Sequence, residues 1–256
     1  MHFDINALLA GQLFAFMIVF VRLSAGMMMF PGIGEAFVSA RIRIMLALAV
    51  TFLLFQPLTP SLPQMPTQTG ELLLLIVREA LIGLFFGAIV RLLMDILETT
   101  GAIIGMNMGL SNAMILNPSL GAQSALPSVF LGVAAIALIF ITGLDHLLFR
   151  ALLNTYRLFP VGQPLPVSDM AQSYAVLLAR SFTIGAQLGM PFFAMGLMAY
   201  AVVGIMQKMM PQIQLFLILM PALIWAGLFV LSASAGIILT LWLATFDNIL
   251  VMTFWR

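Results

Sequence analysis

Charge is scarce in this sequence. Of its 256 residues only 7% are Asp, Glu, Lys or Arg, against about 25% in an ordinary soluble domain. That deficit excludes a free-standing soluble globule and leaves an integral membrane protein or the buried subunit of a larger assembly. Ten basic residues against nine acidic ones give a net charge of +1, so no basic excess exists to attract nucleic acid. Cysteine is absent, which excludes disulfides, Fe–S ligation and thiolate nucleophiles. Histidine occurs only as His2 and His146, too few for a histidine-rich metal cluster. No HExxH, GxSxG or Gly-rich phosphate loop is found, and no paired Asp or Ser/His groups lie within the apolar runs as an intramembrane protease needs. The expectation is a protein that is not an enzyme, with no catalytic, cofactor or metal site.

What the chain has instead is apolar length: 63% of its residues are hydrophobic and the mean hydropathy is +1.16. No charged residue interrupts Ile44 to Gly70, Thr99 to Leu144, Ser181 to Gln207 or the stretch between Lys208 and Asp247. Each exceeds the roughly 20 residues an α-helix needs to cross a bilayer. Runs such as FLGVAAIALIFI are apolar throughout, where a membrane barrel would alternate polar and apolar positions. The fold class is therefore all-α, a multi-helix integral membrane protein or buried assembly subunit with long, Pro-broken helices. They are predicted over Ile5 to Phe30, Arg43 to Phe55, Leu72 to Gly105, Ser128 to Leu148, Ala171 to Met206 and Ile213 to Phe246. The last two are long enough to break at Pro191 and Pro221 or to project beyond a bilayer.

The start, MHFDINALLAG, carries Asp4 and no basic leader, which predicts a first helix that stays attached instead of being cleaved as a signal. Pro57, Pro60, Pro63 and Pro66 recur every third residue, the spacing of an extended polyproline II segment. This stretch is a surface connector or a docking strap. PVGQPLPVSD, from Pro160 to Asp169, is a second exposed loop. Basic residues are spread along the chain without a decisive loop excess, so orientation is not set by the positive-inside rule. No internal repeat is evident, which counts against the paired halves of a secondary transporter.

Charges inside apolar helices are expensive and point to function by default. Arg91, Asp95 and Glu98 lie at spacings of four and three and share one helix face. They form a proton relay, or a polar helix end that emerges into water or meets a partner. Asp145 and His146 point to different sides of a helix, as a helix-end feature does. Gly101, Gly105 and Gly109 make GxxxGxxxG, a face bare enough for a close helix contact, inside the chain or between subunits.

The middle of the chain, GMNMGLSNAMILNPSLGAQSALP, carries no charge at all. Gly105, Gly109 and Gly121 loosen its backbone, and Asn117 before Pro118 biases it away from helix. Met106, Met108 and Met114 add soft, adaptable side chains. Non-helical backbone at membrane depth survives only when buried in protein or facing an aqueous cavity. The segment is an interhelical linker or a compliant seal.

Four blocks carry a resemblance: RLSAGMMMFPGIGEAFVSARIRIMLALA, the central segment, ITGLDHLLFRALLNTYRLFPVG and QKMMPQIQLFLILMPALIWAGL. In that order, and at this length, they resemble the FliR family of flagellar export-gate subunits, whose counterparts serve virulence type III secretion. Gln214 departs from the family's Pro-Gln-x-Asn pattern. The resemblance implies an inner-membrane, basal-body subunit that assembles with several copies of FliP and FliQ, is joined by FlhB, and passes unfolded export substrates. It implies a FliP-like part over 1–170, including a plug loop at 105–122, and a FliQ-like hairpin part over 171–256. It also implies that the assembled subunit stands largely above the bilayer plane. Gly105, Met106, Asn107, Met108, Gly109, Asn112, Met114, Asn117, Pro118 and Gly121 would then form the channel plug. Gly101, Gly105, Gly109, Pro211 and Gln212 would serve subunit packing. Membrane lipid is the remaining expected partner, and a stand-alone small-solute transporter using Arg91, Asp95 and Glu98 is the alternative.

Overall fold

Long apolar runs with few helix breakers have one way to satisfy every backbone N–H and C=O without water, and that is helix. A computed structural model describes residues 5–110, 126–209 and 215–255. Among them lie seven α-helices: α1 Ile5–Met27, α2 Ala40–Leu58, α3 Thr69–Asn107, α4 Leu126–Thr142, α5 Leu144–Leu158, α6 Val167–Met209 and α7 Leu215–Phe254. No strand occurs among the described residues, as the all-α reading expects. Five of these helices are long and apolar enough to cross a membrane, or six crossings if α4 and α5 count as one broken span.

Local chemistry explains several of the boundaries. Ser39 caps α2, its hydroxyl accepting from the Ile42 N–H at 3.5 Å, which satisfies one of the helix's orphan donors. Glu71 stands in the first turn of α3, where a negative charge complements the helix dipole. The single helix expected over Ser128 to Leu148 is two. Gly143 takes φ 74° in the left-handed region, ends α4, and opens the strongly amphipathic α5, which runs on to Leu158. The proline-rich connector is also less extended than its spacing suggests. Pro57 sits inside the last turn of α2 and Pro60 in a 3₁₀ turn over Thr59–Ser61, leaving Pro63 and Pro66 in irregular chain. Conversely, α6 and α7 continue through Pro191 and Pro221 without interruption.

The chain divides into two compact units. The first comprises Met1–Arg91, Gly143–Ala175 and Asn248–Arg256. Its centre is aromatic: Phe86 lies 4.8 Å from Phe254 and 5.8 Å from Phe30, and Phe30 lies 5.5 Å from Phe149, ring centroid to centroid. Glycines let α1 and α3 approach closely here. A side chain at Gly83 would strike the Arg22 carbonyl, and one at Gly87 would meet Met29.

The second unit comprises Leu92–Thr142 and Val176–Asp247. Its seam is a stripe on α6 formed by Ser181, Gly185, Gly189, Phe192 and Gly196, all buried. Their spacings of three, four and seven put them on one helix face. An added Cβ at Gly185 would come within 2.8 Å of the Ile96 carbonyl, and one at Gly189 within 2.8 Å of the Ile103 side chain, so α6 rides on the α3 backbone at the first and on an α3 side chain at the second. Trp242 is fully buried and donates its indole N–H to the Leu93 carbonyl at 2.8 Å.

Candidate functional site

The uncharged central segment begins as the end of α3. Helix continues past Gly101 and Gly105, both buried, to Asn107, whose side-chain amide donates back to the Ile103 carbonyl at 2.8 Å. Termination is then built by hydrogen bonds. Leu110 N–H donates to Gly105 O at 3.1 Å and Gly109 N–H to Met106 O at 3.2 Å, with Gly109 at φ 75°. This is a Schellman motif, whose left-handed position favours glycine. Gly109 therefore lies beyond the helix, while Gly101 and Gly105 lie within it. Met106 stays 64% exposed, whereas Met108 is fully buried against Gly227 of α7, where any added Cβ would strike its side chain.

The far end of the segment is fixed on the same helix. Gly101 faces the Ser128 backbone at the start of α4 so closely that a Cβ there has no room, and the Ser128 hydroxyl donates to the Glu98 carbonyl at 3.0 Å. Leu110 and Leu126, the residues flanking positions 111–125, line one apolar groove of about 600 Å³ with Phe130, Ile224 and Leu228. The chain thus leaves and returns at neighbouring points. Asn112, Met114, Asn117, Pro118 and Gly121, together with Pro211 and Gln212, lie outside the described residues.

Arg91, Asp95 and Glu98 occupy the middle of α3, not its end, because the helix starts at Thr69 and runs on to Asn107. Arg91 pairs with Glu35 at 3.3 Å, with side chains 48% and 21% exposed. Glu98 is exposed and Asp95 half-buried. Asp145 and His146 do meet, at 3.1 Å, at the exposed start of α5.

A second polar group was not singled out by sequence reasoning. Arg22 and Glu79, both essentially inaccessible, form an ion pair at 2.5 Å between α1 and α3. Arg22 Nη2 also donates to the Phe159 carbonyl at 3.0 Å, and its guanidinium lies 4.1 Å above the Tyr156 ring. The signal was present: one basic and one acidic residue, each inside an apolar run, need each other in a medium of low dielectric. Among the described residues no cluster of His, Asp or Glu suits a metal ion.

Comparison with known proteins decides the family. The model of the bacterial export proteins, family 1, matches residues 13–249. This chain belongs to that family. It is 33% identical to the flagellar biosynthetic protein FliR of Caulobacter vibrioides over 241 residues, covering 94% of this chain and 96% of that protein. It is 28% identical to the FliR of Bacillus subtilis, covering 88% and 87% of the two chains. The Yop proteins translocation protein T of Yersinia pestis is 25% identical over 64% of each chain. The resemblance read from the four sequence blocks is thereby borne out at the level of the family.

Proposed function

We propose that this protein is a non-enzymatic subunit of a type III protein-export apparatus in the bacterial inner membrane, assembling with FliP, FliQ and FlhB into the gate that passes unfolded flagellar proteins. The observation that carries this reading is similarity to FliR along nearly the whole chain. The flagellar relative is matched over 94% of this chain and the Yersinia protein over 64%, which favours the flagellar system over a virulence one.

Within the gate, the segment from Gly105 to Ala122 acts as the plug. Support comes from how its ends are held: a capped helix with buried Met108 at one side, and Gly101 locked against Ser128 at the other. Fixed ends and an uncharged middle let such a segment obstruct ions when closed and yield to a polypeptide of any sequence, without burying a charge. Pro211 and Gln212 are assigned to subunit assembly. The FliP-like part over 1–170 and the FliQ-like part over 171–256 belong to the same proposal. The large apolar side chains left exposed on α6 and α7, among them Phe182, Phe193, Trp225 and Phe229, supply surface for those partners or for lipid.

The test is ion leakage through membranes carrying the assembled gate. Deleting Met106 to Leu116 should raise conductance while the partners still co-purify. Membranes that stay as tight as wild type, with assembly intact, would defeat the plug assignment.

A further inference from the structure

One polar face is left unused by the export reading. Helix α5 buries Leu148, Ala151, Leu152, Thr155 and Tyr156 and turns Arg150 and Arg157 outward. These arginines, two helical turns apart, line a shallow cavity of about 300 Å³ together with Leu153, Asn154 and Trp255. Among the described residues no acidic side chain lines it. Among the described residues neither arginine is in an ion pair or hydrogen bond, in contrast to Arg22, Arg43 and Arg91. The Asn154 amide is tied to the Phe254 carbonyl, which holds the last turn of α7 against α5. Trp255 is 43% exposed with its indole N–H unengaged.

We propose that this cavity binds the phosphate group of a phospholipid headgroup. Two guanidinium forks suit phosphate oxygens, because each offers paired N–H donors at a fixed geometry that a phosphate can accept bidentately. Trp255, at the end of the apolar α7, has the amphipathic ring found where acyl chain gives way to headgroup. An amphipathic helix with arginine on its outer face is the element that lies along such a boundary. Leu153 supplies an apolar wall for the glycerol and first methylenes. An inorganic phosphate would use the same donors but gain nothing from Leu153 and the tryptophan face.

The experiment is native mass spectrometry of the full chain in detergent, titrated separately with phosphatidylglycerol, phosphatidylcholine and inorganic phosphate. Arg150→Gln, Arg157→Gln and their double variant are compared with Arg180→Gln, an arginine outside the cavity. Saturable binding of one phosphatidylglycerol is expected. Each cavity arginine removed should weaken it about fivefold, the worth of one basic residue near a lipid surface, and Arg180→Gln should leave it unchanged. Phosphatidylcholine should bind with the same arginine dependence but more weakly. Inorganic phosphate binding with that dependence while neither lipid binds would overturn the lipid source. Equal lipid affinity in wild type and the double variant, both retaining the wild-type unfolding profile, would overturn the site.

Discussion

Removing Glu79 should be worse than removing Arg22, although the two make one ion pair. Arg22 is fully buried and can find only Glu79 Oε2 at 2.5 Å, the Phe159 carbonyl at 3.0 Å and the Tyr156 ring as partners. Its Nη1 already lacks one. Glu79→Leu leaves a guanidinium that cannot shed its proton, held by one carbonyl and one ring. Breaking a buried pair in this way costs about 3–5 kcal/mol. Arg22→Met leaves a carboxyl, which can become neutral by taking up a proton, so its cost should be smaller by about 1–2 kcal/mol. The double variant Arg22→Met, Glu79→Leu buries two apolar side chains and should recover most of the loss, since apolar replacement of a buried pair is often near neutral. The assay is pulse proteolysis of the purified chain in mixed micelles with increasing denaturing detergent, read as a double-mutant cycle. Single and double variants that destabilise additively would refute the reasoning, as would a Glu79→Leu cost below about 1 kcal/mol.

Three further outcomes follow from the same packing. Gly185→Ala and Gly189→Ala should each destabilise the second unit by about 1–3 kcal/mol through overpacking, while Gly204→Ala, with nothing within 4 Å of the new Cβ, should be neutral or stabilising by up to about 1 kcal/mol; the same proteolysis midpoint measures all three. Gly227→Ala pushes into Met108 and should be partly rescued by Met108→Ala, seen as a midpoint that recovers in the double variant. Trp242→Phe keeps one aromatic ring but removes the rest of the indole and its donor to Leu93, and should cost about 2–4 kcal/mol from the unpaired carbonyl and the cavity together, with the change confined to hydrogen exchange in α3 and α7.

The helices were legible because uninterrupted apolar runs in a chain with 7% charge admit few other structures. Where the reading slipped, a single backbone position was responsible. Gly143 sits between Thr142 and Leu144 with no proline or charge run to announce it, yet its positive φ splits one expected helix into two of different character. Pro57 and Pro60 look like extended chain by spacing, but a proline near a helix's last turn, or opening a 3₁₀ turn, does not have to break it. Pro191 and Pro221 illustrate the same tolerance in α6 and α7. The GxxxGxxxG pattern read as one face belongs partly to a helix and partly to its cap, since Gly109 ends α3. Gly185, Gly189 and Gly196 make a second, longer seam on α6. That stripe was hidden among apolar neighbours, and its partners Ile96, Thr99 and Ile103 lie far away in sequence. The Arg22–Glu79 pair escaped for a related reason: Arg22 looks isolated and Glu79 stands next to Arg78 in sequence, until the fold joins positions 57 apart.

Assembly is the central claim, and native mass spectrometry of the tagged protein, drawn in mild detergent from its own host membrane, tests it most directly. One copy bound to several copies of two small membrane proteins is the expected result. A protein that emerges alone, or only with copies of itself, would contradict the gate reading and turn attention to Arg91, Asp95 and Glu98 as a solute path.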